Sequence, residues 1–175
     1  MDRQTQEKTR VKNAITDALF SIMEHKSIDD ISITELTEAA GVSRMAYYRN
    51  FDSKLDIISY FFEKTLNEML ESLGDDCNFW TLEYGRAFFQ LMKKYRDCVL
   101  LLDHSGFSKT ILKYFNLANE ELAGDMSSKS IERYRLYYTA GAAYNGLIQW
   151  LEDGCQESID DMVHSLAKFI DIKDA

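Results

Sequence analysis

The side chains able to make or break bonds are scattered through this chain. His25, His104 and His164 stand far apart, and none has a His-x-x-x-His or Cys-x-x-Cys partner. Cys98 and Cys155 are expected in apolar surroundings, where a thiol is more often an inert small hydrophobe than a nucleophile. Asp160 and Asp161 read as helix-start residues, Glu120 and Glu121 as a solvated face, and no Gly-rich phosphate loop exists. No enzymatic centre, metal or cofactor is expected. The informative spacing lies instead between Ile33 and Lys54. Two short helices, Thr34 to Ala40 and Arg44 to Phe51, flank Gly41-Val42-Ser43. The glycine is free to take positive φ, and the valine pins the corner. With a helix before it as brace, this helix-turn-helix makes a three-helix unit whose second motif helix would enter a major groove.

The elements that must hold this unit follow from apolar period. Val11, Ile15, Ala18, Leu19, Ile22 and Met23 share one face of a helix from about Gln6 to Glu24. Ile31 and Ile33 anchor the connection, and Thr34 and Ser43 are suited to cap the two short helices. Ser53 with Asp56 opens a helix of about 20 residues that Gly74-Asp75-Asp76 stops. Further helices are expected over Trp80 to Lys94, Cys98 to Leu102, Lys109 to Leu122 and Ser130 to Leu151. Ser158 caps a last one through Ile170. Taken alone, Cys98 to Leu102 also suits a strand; its helical neighbours decide for helix. The fold class is therefore all-α, with about nine helices.

Composition agrees. The 175 residues contain no Pro and only 8 Gly, too little punctuation for many short strands. No run approaches the roughly 20 apolar residues of a membrane span, the first twelve residues lack an apolar signal core, and the three cysteines form no disulfide framework. A cytoplasmic location with no membrane partner is expected. The net charge of −9 is uneven: residues 1–54 carry 8 basic and 9 acidic side chains, the remainder 12 and 20. The near-neutral front and acidic rear are expected to meet different partners.

The run ITELTEAAGVSRMAYYRNFDSKLDII resembles the signature of the TetR/AcrR (tetracycline-repressor-like) family. The shared features are Ile-Thr at its opening, Ala-Ala-Gly-Val-Ser across the turn, aromatic-Tyr-Arg-x-Phe in the second motif helix, and Ser-Lys before the next. A second stretch, YYTAGAAYNGLIQWLEDGCQESIDDM, is similar to the penultimate-helix signature of one branch. The resemblance implies a transcriptional regulator, usually a repressor. It implies a homodimer on a palindromic DNA operator, released by a small-molecule effector that the sequence does not identify. Residues 1–53 would bind DNA, and 54–175 would bind effector and dimerise. Thr34, Tyr48 and Lys54 match positions that usually touch phosphate. Ser43, Arg44, Met45, Ala46 and Tyr47 occupy the stretch that faces base edges, where Arg44 suits guanine and Met45 or Ala46 a thymine methyl. Met45-Ala46 departs from the common pair of a small residue with Thr or Ser. Tyr47 replaces a common Phe, its ring expected in the core and its hydroxyl at the edge. Arg3, Lys8, Arg10 and Lys12 would add charge beside the DNA backbone.

Behind residue 79 the chain is rich in aromatics, and a polar-studded pocket is expected near Tyr84, Phe88, Tyr137 and Tyr138. Gly141 and Gly146 in one long helix each cost about 1 kcal/mol relative to Ala, so close helix approach should compensate. In the family the last two helices form the dimer interface. Gly141, Tyr144, Leu147, Ile148, Leu151, Met162, Val163, Leu166 and Ile170 would supply it here. An alternative is a rear domain that docks a protein partner in place of a free ligand.

Overall fold

The computed structural model describes residues 3–74, 81–123, 131 and 133–170, with the backbone alone at 121–123 and 170. Among these residues there are nine α-helices and no strand. Phe79 and Trp80, and the start expected for the penultimate helix at Ser130, lie outside the described residues. The chain forms two compact units, Met1–Lys64 and Thr65–Ala175. The division falls inside a continuous helix, α4 (Lys54–Leu73), whose first residue is where the sequence suggests a domain boundary.

In the first unit α1 (Arg3–Met23) buries Val11, Ile15, Ala18, Leu19, Phe20 and Met23, and only Ile22 of the expected stripe is half-exposed. A single 3₁₀ turn (Ile28–Asp30) follows, then α2 (Ile33–Ala39) and α3 (Arg44–Asn50). The cap of α2 is Ser32, not Thr34. The Glu35 amide donates to Ser32 Oγ at 3.1 Å, and the Ser32 amide donates to the Glu35 carboxylate at 3.4 Å. Ser32 has a carboxylate three residues on and so closes a reciprocal capping box; Thr34 is followed at that distance by Thr37. Ser43 does cap α3, accepting from the Ala46 amide at 3.1 Å. Gly41, at φ +62°, takes the left-handed conformation the turn requires. Ser53 and Asp56 exchange bonds of 3.3 and 2.8 Å at the start of α4. Leu36, Tyr47, Phe51, Ile57 and Ile58 complete the core, and Phe20 meets Phe61 with ring centres 4.9 Å apart.

The second unit contains α5 (Leu82–Lys94), α6 (Arg96–Leu102), α7 (Ser108–Ala123), α8 (Arg133–Glu152) and α9 (Ile159–Ile170). Trp150 stands edge-on to Phe89 at 5.6 Å and donates from Nε1 to the Glu157 carbonyl at 3.2 Å. Phe89, Leu102, Ile111, Leu136 and Leu147 are buried with it. Gly85 lets α5 and α9 approach: a Cβ there would stand 3.1 Å from Val163 Cγ1. Ser158 caps α9 by accepting from the Asp161 amide at 3.1 Å.

Candidate nucleic-acid interface

Helix α3 is short, so its two sides differ sharply. Arg44, Met45, Tyr48 and Arg49 recur at the spacing of one helical face, and all four are exposed. Met45 is 64% and Tyr48 54% exposed, unusual for side chains of their size. Ser43 and Thr34 are also exposed, and Ala46 is half-buried. This surface offers guanidinium donors, a phenol and an apolar thioether, a set able to contact phosphate and base edges. Arg49 is absent from the set expected from sequence. Its position four residues after Met45, one helical turn on, is the signal that points to it.

Tyr47 points the other way. It is 1% exposed, packed edge-on to Tyr48 at 5.2 Å and against Phe51 at 6.2 Å. Its hydroxyl is buried too, not at the edge, and meets no hydrogen-bond partner among the described residues. Burial, then the nearby Tyr48, Asp56 and Asp52, raises its pKa above the usual phenol value. Three residues before Asn50 and four before Phe51, Tyr47 shares their inward stripe, so it takes no place on the outward face.

The cations around the motif are unequal. Lys54, expected at a phosphate, donates to the carbonyls of Ile28, Asp29 (3.3 Å) and Ile31 (2.8 Å). Lys12 places its ammonium 4.5 Å from the Tyr60 ring centre and 5.3 Å from that of Phe51. Arg10 pairs with Glu7 at 2.6 Å, and Lys26 pairs with Glu35 at 2.8 Å, which lowers the Glu35 pKa. Arg3, Lys8, Arg44 and Arg49 remain exposed.

In the second unit the four aromatics expected around a pocket have different surroundings. Tyr84 is buried, and Phe88 packs edge-on to Phe89 and Phe115 at 5.3 and 5.1 Å. Tyr137 donates to Glu120, which also accepts from Arg133 at 2.8 Å, whereas Tyr138 is 71% exposed. None of the four lines the groove of about 300 Å³ between α8 and α9. That groove is formed by Phe89, Ala142, Ala143, Gly146, Met162, Ser165, Leu166 and Phe169. The residues expected at a dimer interface divide likewise. Leu147, Leu151 and Val163 are buried within the chain itself, and Tyr144 donates to Asp103. Gly141, Ile148, Met162 and Leu166 are half-exposed; the Ile170 side chain lies outside the described residues. A Cβ at Gly141 or Gly146 would meet nothing within 4 Å among the described residues, so no close approach among them compensates these glycines.

No family model matches the chain, and no curated protein does. Solved structures do. A TetR transcriptional regulator from Streptococcus agalactiae 2603V is 15% identical with a TM-score of 0.64, covering 95% of this chain and 97% of that one. The dihydroxyacetone kinase operon activator DhaS is 14% identical at a TM-score of 0.61, covering 91% and 93%. The fatty acid degradation regulator FadR from Bacillus halodurans is 13% identical at 0.58, covering 91% and 94%. At such identities the likeness speaks for architecture, and the chain has the fold of the TetR-family transcriptional regulators.

Proposed function

We propose that the protein is a sequence-selective DNA-binding transcriptional regulator, with α3 as the helix that enters the major groove. The observation that carries this reading is the outward face of α3. Arg44, Met45, Tyr48 and Arg49 stand exposed together on a helix whose other side is locked into the core by Tyr47. Guanidiniums face water on any helix, but a large thioether and a phenol exposed between them make a mixed apolar and cationic surface. In this reading Arg44 and Met45 read bases, while Thr34, Tyr48 and Arg49 hold phosphates.

The protein acts as a homodimer on an inverted repeat, with recognition helices about 34–36 Å apart in successive grooves. The α8–α9 groove supports this: Phe169, one of its lining residues, is 72% exposed, and nothing among the described residues crowds Gly141 or Gly146, which leaves α8 open to a second helix pair. A small effector bound in the second unit shifts the spacing by binding one arrangement better than another. Where the operator overlaps a promoter, the outcome is repression.

The test is selection from random duplex DNA with the wild type and an Arg44→Ala/Tyr48→Ala variant side by side. An inverted repeat enriched by the wild type and lost by the variant is expected. A folded, dimeric wild type that enriches nothing at low salt would overturn the reading.

A further inference from the structure

The ammonium of Lys54 has three N–H donors and meets three backbone carbonyls, those of Ile28, Asp29 and Ile31. These carbonyls belong to the 3₁₀ turn between α1 and α2 and to the residue just after it, and that of Ile28 also accepts the Ile31 amide at 3.3 Å. Ile31 is followed directly by Ser32, whose capping box starts the motif. Lys54 is itself the first residue of α4. One side chain therefore joins the first turn of α4 to the segment that sets where α2 begins, across 23 to 26 residues of sequence. The carbonyl end of a helical turn carries partial negative charge, so a cation is the fitting clasp. Its residue is half-buried, and the Lys26–Glu35 pair at 2.8 Å also spans the connection between α1 and α2.

The geometry points to Lys54 as a positioning residue of the DNA-reading unit and not one of its phosphate ligands. With its three donors engaged, the ammonium has none to turn toward a phosphate unless the turn opens. Its work is to fix the α1–α2 connection on α4, and so to hold α2 and the capped start of α3 in reading position. The inference rests on the DNA-binding reading, and the experiment separates the two.

Lys54→Met and Lys54→Arg are compared with the wild type in two measurements. The first is amide hydrogen exchange across residues 28–36 in free protein, which needs no DNA. Loss of the clasp should speed exchange there about tenfold or more in Lys54→Met, while α1 stays protected. Lys54→Arg keeps the charge, but a planar fork does not converge on three carbonyls as an ammonium does, so it should exchange faster as well. The second is the salt dependence of binding to a duplex enriched in the selection. A phosphate contact would lower the slope of log K against log salt by about 0.9 per lysine and be largely rescued by arginine. A clasp instead lowers affinity at every salt in both variants and leaves the slope unchanged. Unchanged exchange, or a reduced slope with rescue by arginine, overturns the proposal. A wild type that binds no duplex strikes the DNA-binding reading instead, and the exchange result still decides whether the clasp exists.

Discussion

The two units use their polar side chains in opposite ways. In the first, they mostly hold backbone ends: Ser32, Ser43, Ser53 and Asp56 bond to amides three or four residues away, and Lys54 closes on carbonyls. In the second, they mostly hold one another across helices. Arg86 meets Asp160 at 2.6 Å, Tyr95 meets Glu68 at 2.7 Å, His104 meets Glu152 at 3.1 Å, and Glu120 takes Arg133 and Tyr137. Short helices have a large share of unsatisfied end groups, so the two seven-residue helices of the first unit's motif, α2 and α3, draw their polar neighbours there. Once those ends are capped locally, the outward face of α3 is left unengaged. Long helices have proportionally fewer ends, and their polar residues are available to set which faces meet.

The sharpest way to break this comparison is to remove burial from the second unit and leave its ion pairs in place. If cross-helix pairs only select geometry while apolar packing supplies stability, Trp150→Ala should be severe. Trp150 is 2% exposed, contacts Phe89 and holds the Glu157 carbonyl. A loss of about 3–5 kcal/mol is expected in denaturant unfolding of the second unit. A loss under about 1 kcal/mol would mean that the pairs carry the unit and that its core tolerates a large void.

A smaller effect probes the first unit. Ser43→Ala removes the acceptor for the Ala46 amide at the start of α3 and should cost about 1 kcal/mol, with Ser43→Asp recovering most of it. The consequence should be local: α3 frays, and affinity for a selected duplex falls further than global stability alone would require. Equal stability with and without the hydroxyl would show that packing by Tyr47 and Phe51 suffices to start the helix.

The same contrast explains which features are legible in the amino-acid sequence. The caps at Ser43 and Ser53, the turn at Gly41 and the buried stripe of α1 are encoded within four residues, so short-range pattern reveals them. Thr34 competes for the cap of α2 because it too can accept from an amide, and only the carboxylate at Glu35 selects Ser32. The partners of Lys54 lie 23 to 26 residues away, and those of Arg86 lie 74 away, distances over which periodicity carries no information. For the same reason Tyr84, Phe88, Tyr137 and Tyr138 look equivalent in sequence. Which of them meets core, carboxylate or water depends on how the helices are turned about their axes. Leu147, Leu151 and Val163 are apolar at helical spacing whether they face the chain's own core or a second copy. Gly141 and Gly146 stand out in sequence as an anomaly, and the structure sharpens it by leaving both uncrowded.

The smallest expected effect tests the pairing side of the comparison through pH. Arg86 lowers the pKa of Asp160, and Tyr137 followed by Arg133 lowers that of Glu120. A carboxylate whose folded pKa lies below its unfolded value stabilises fully above the unfolded value, and that contribution is lost as pH falls through the folded one. The unfolded values are about 4, so these contributions are intact at neutral pH and decline below about pH 4.5. Glu120→Gln should therefore lower the melting temperature of the second unit only slightly at pH 7, by about 1–2 °C. This modest size follows from partly exposed pairs that share their interaction with water. The difference between variant and wild type should shrink toward zero on acidification, because protonating Glu120 does to the wild type what the substitution has already done. A difference that grows on acidification would reverse the sign of the Glu120 contribution and place its carboxyl among groups that favour the neutral form.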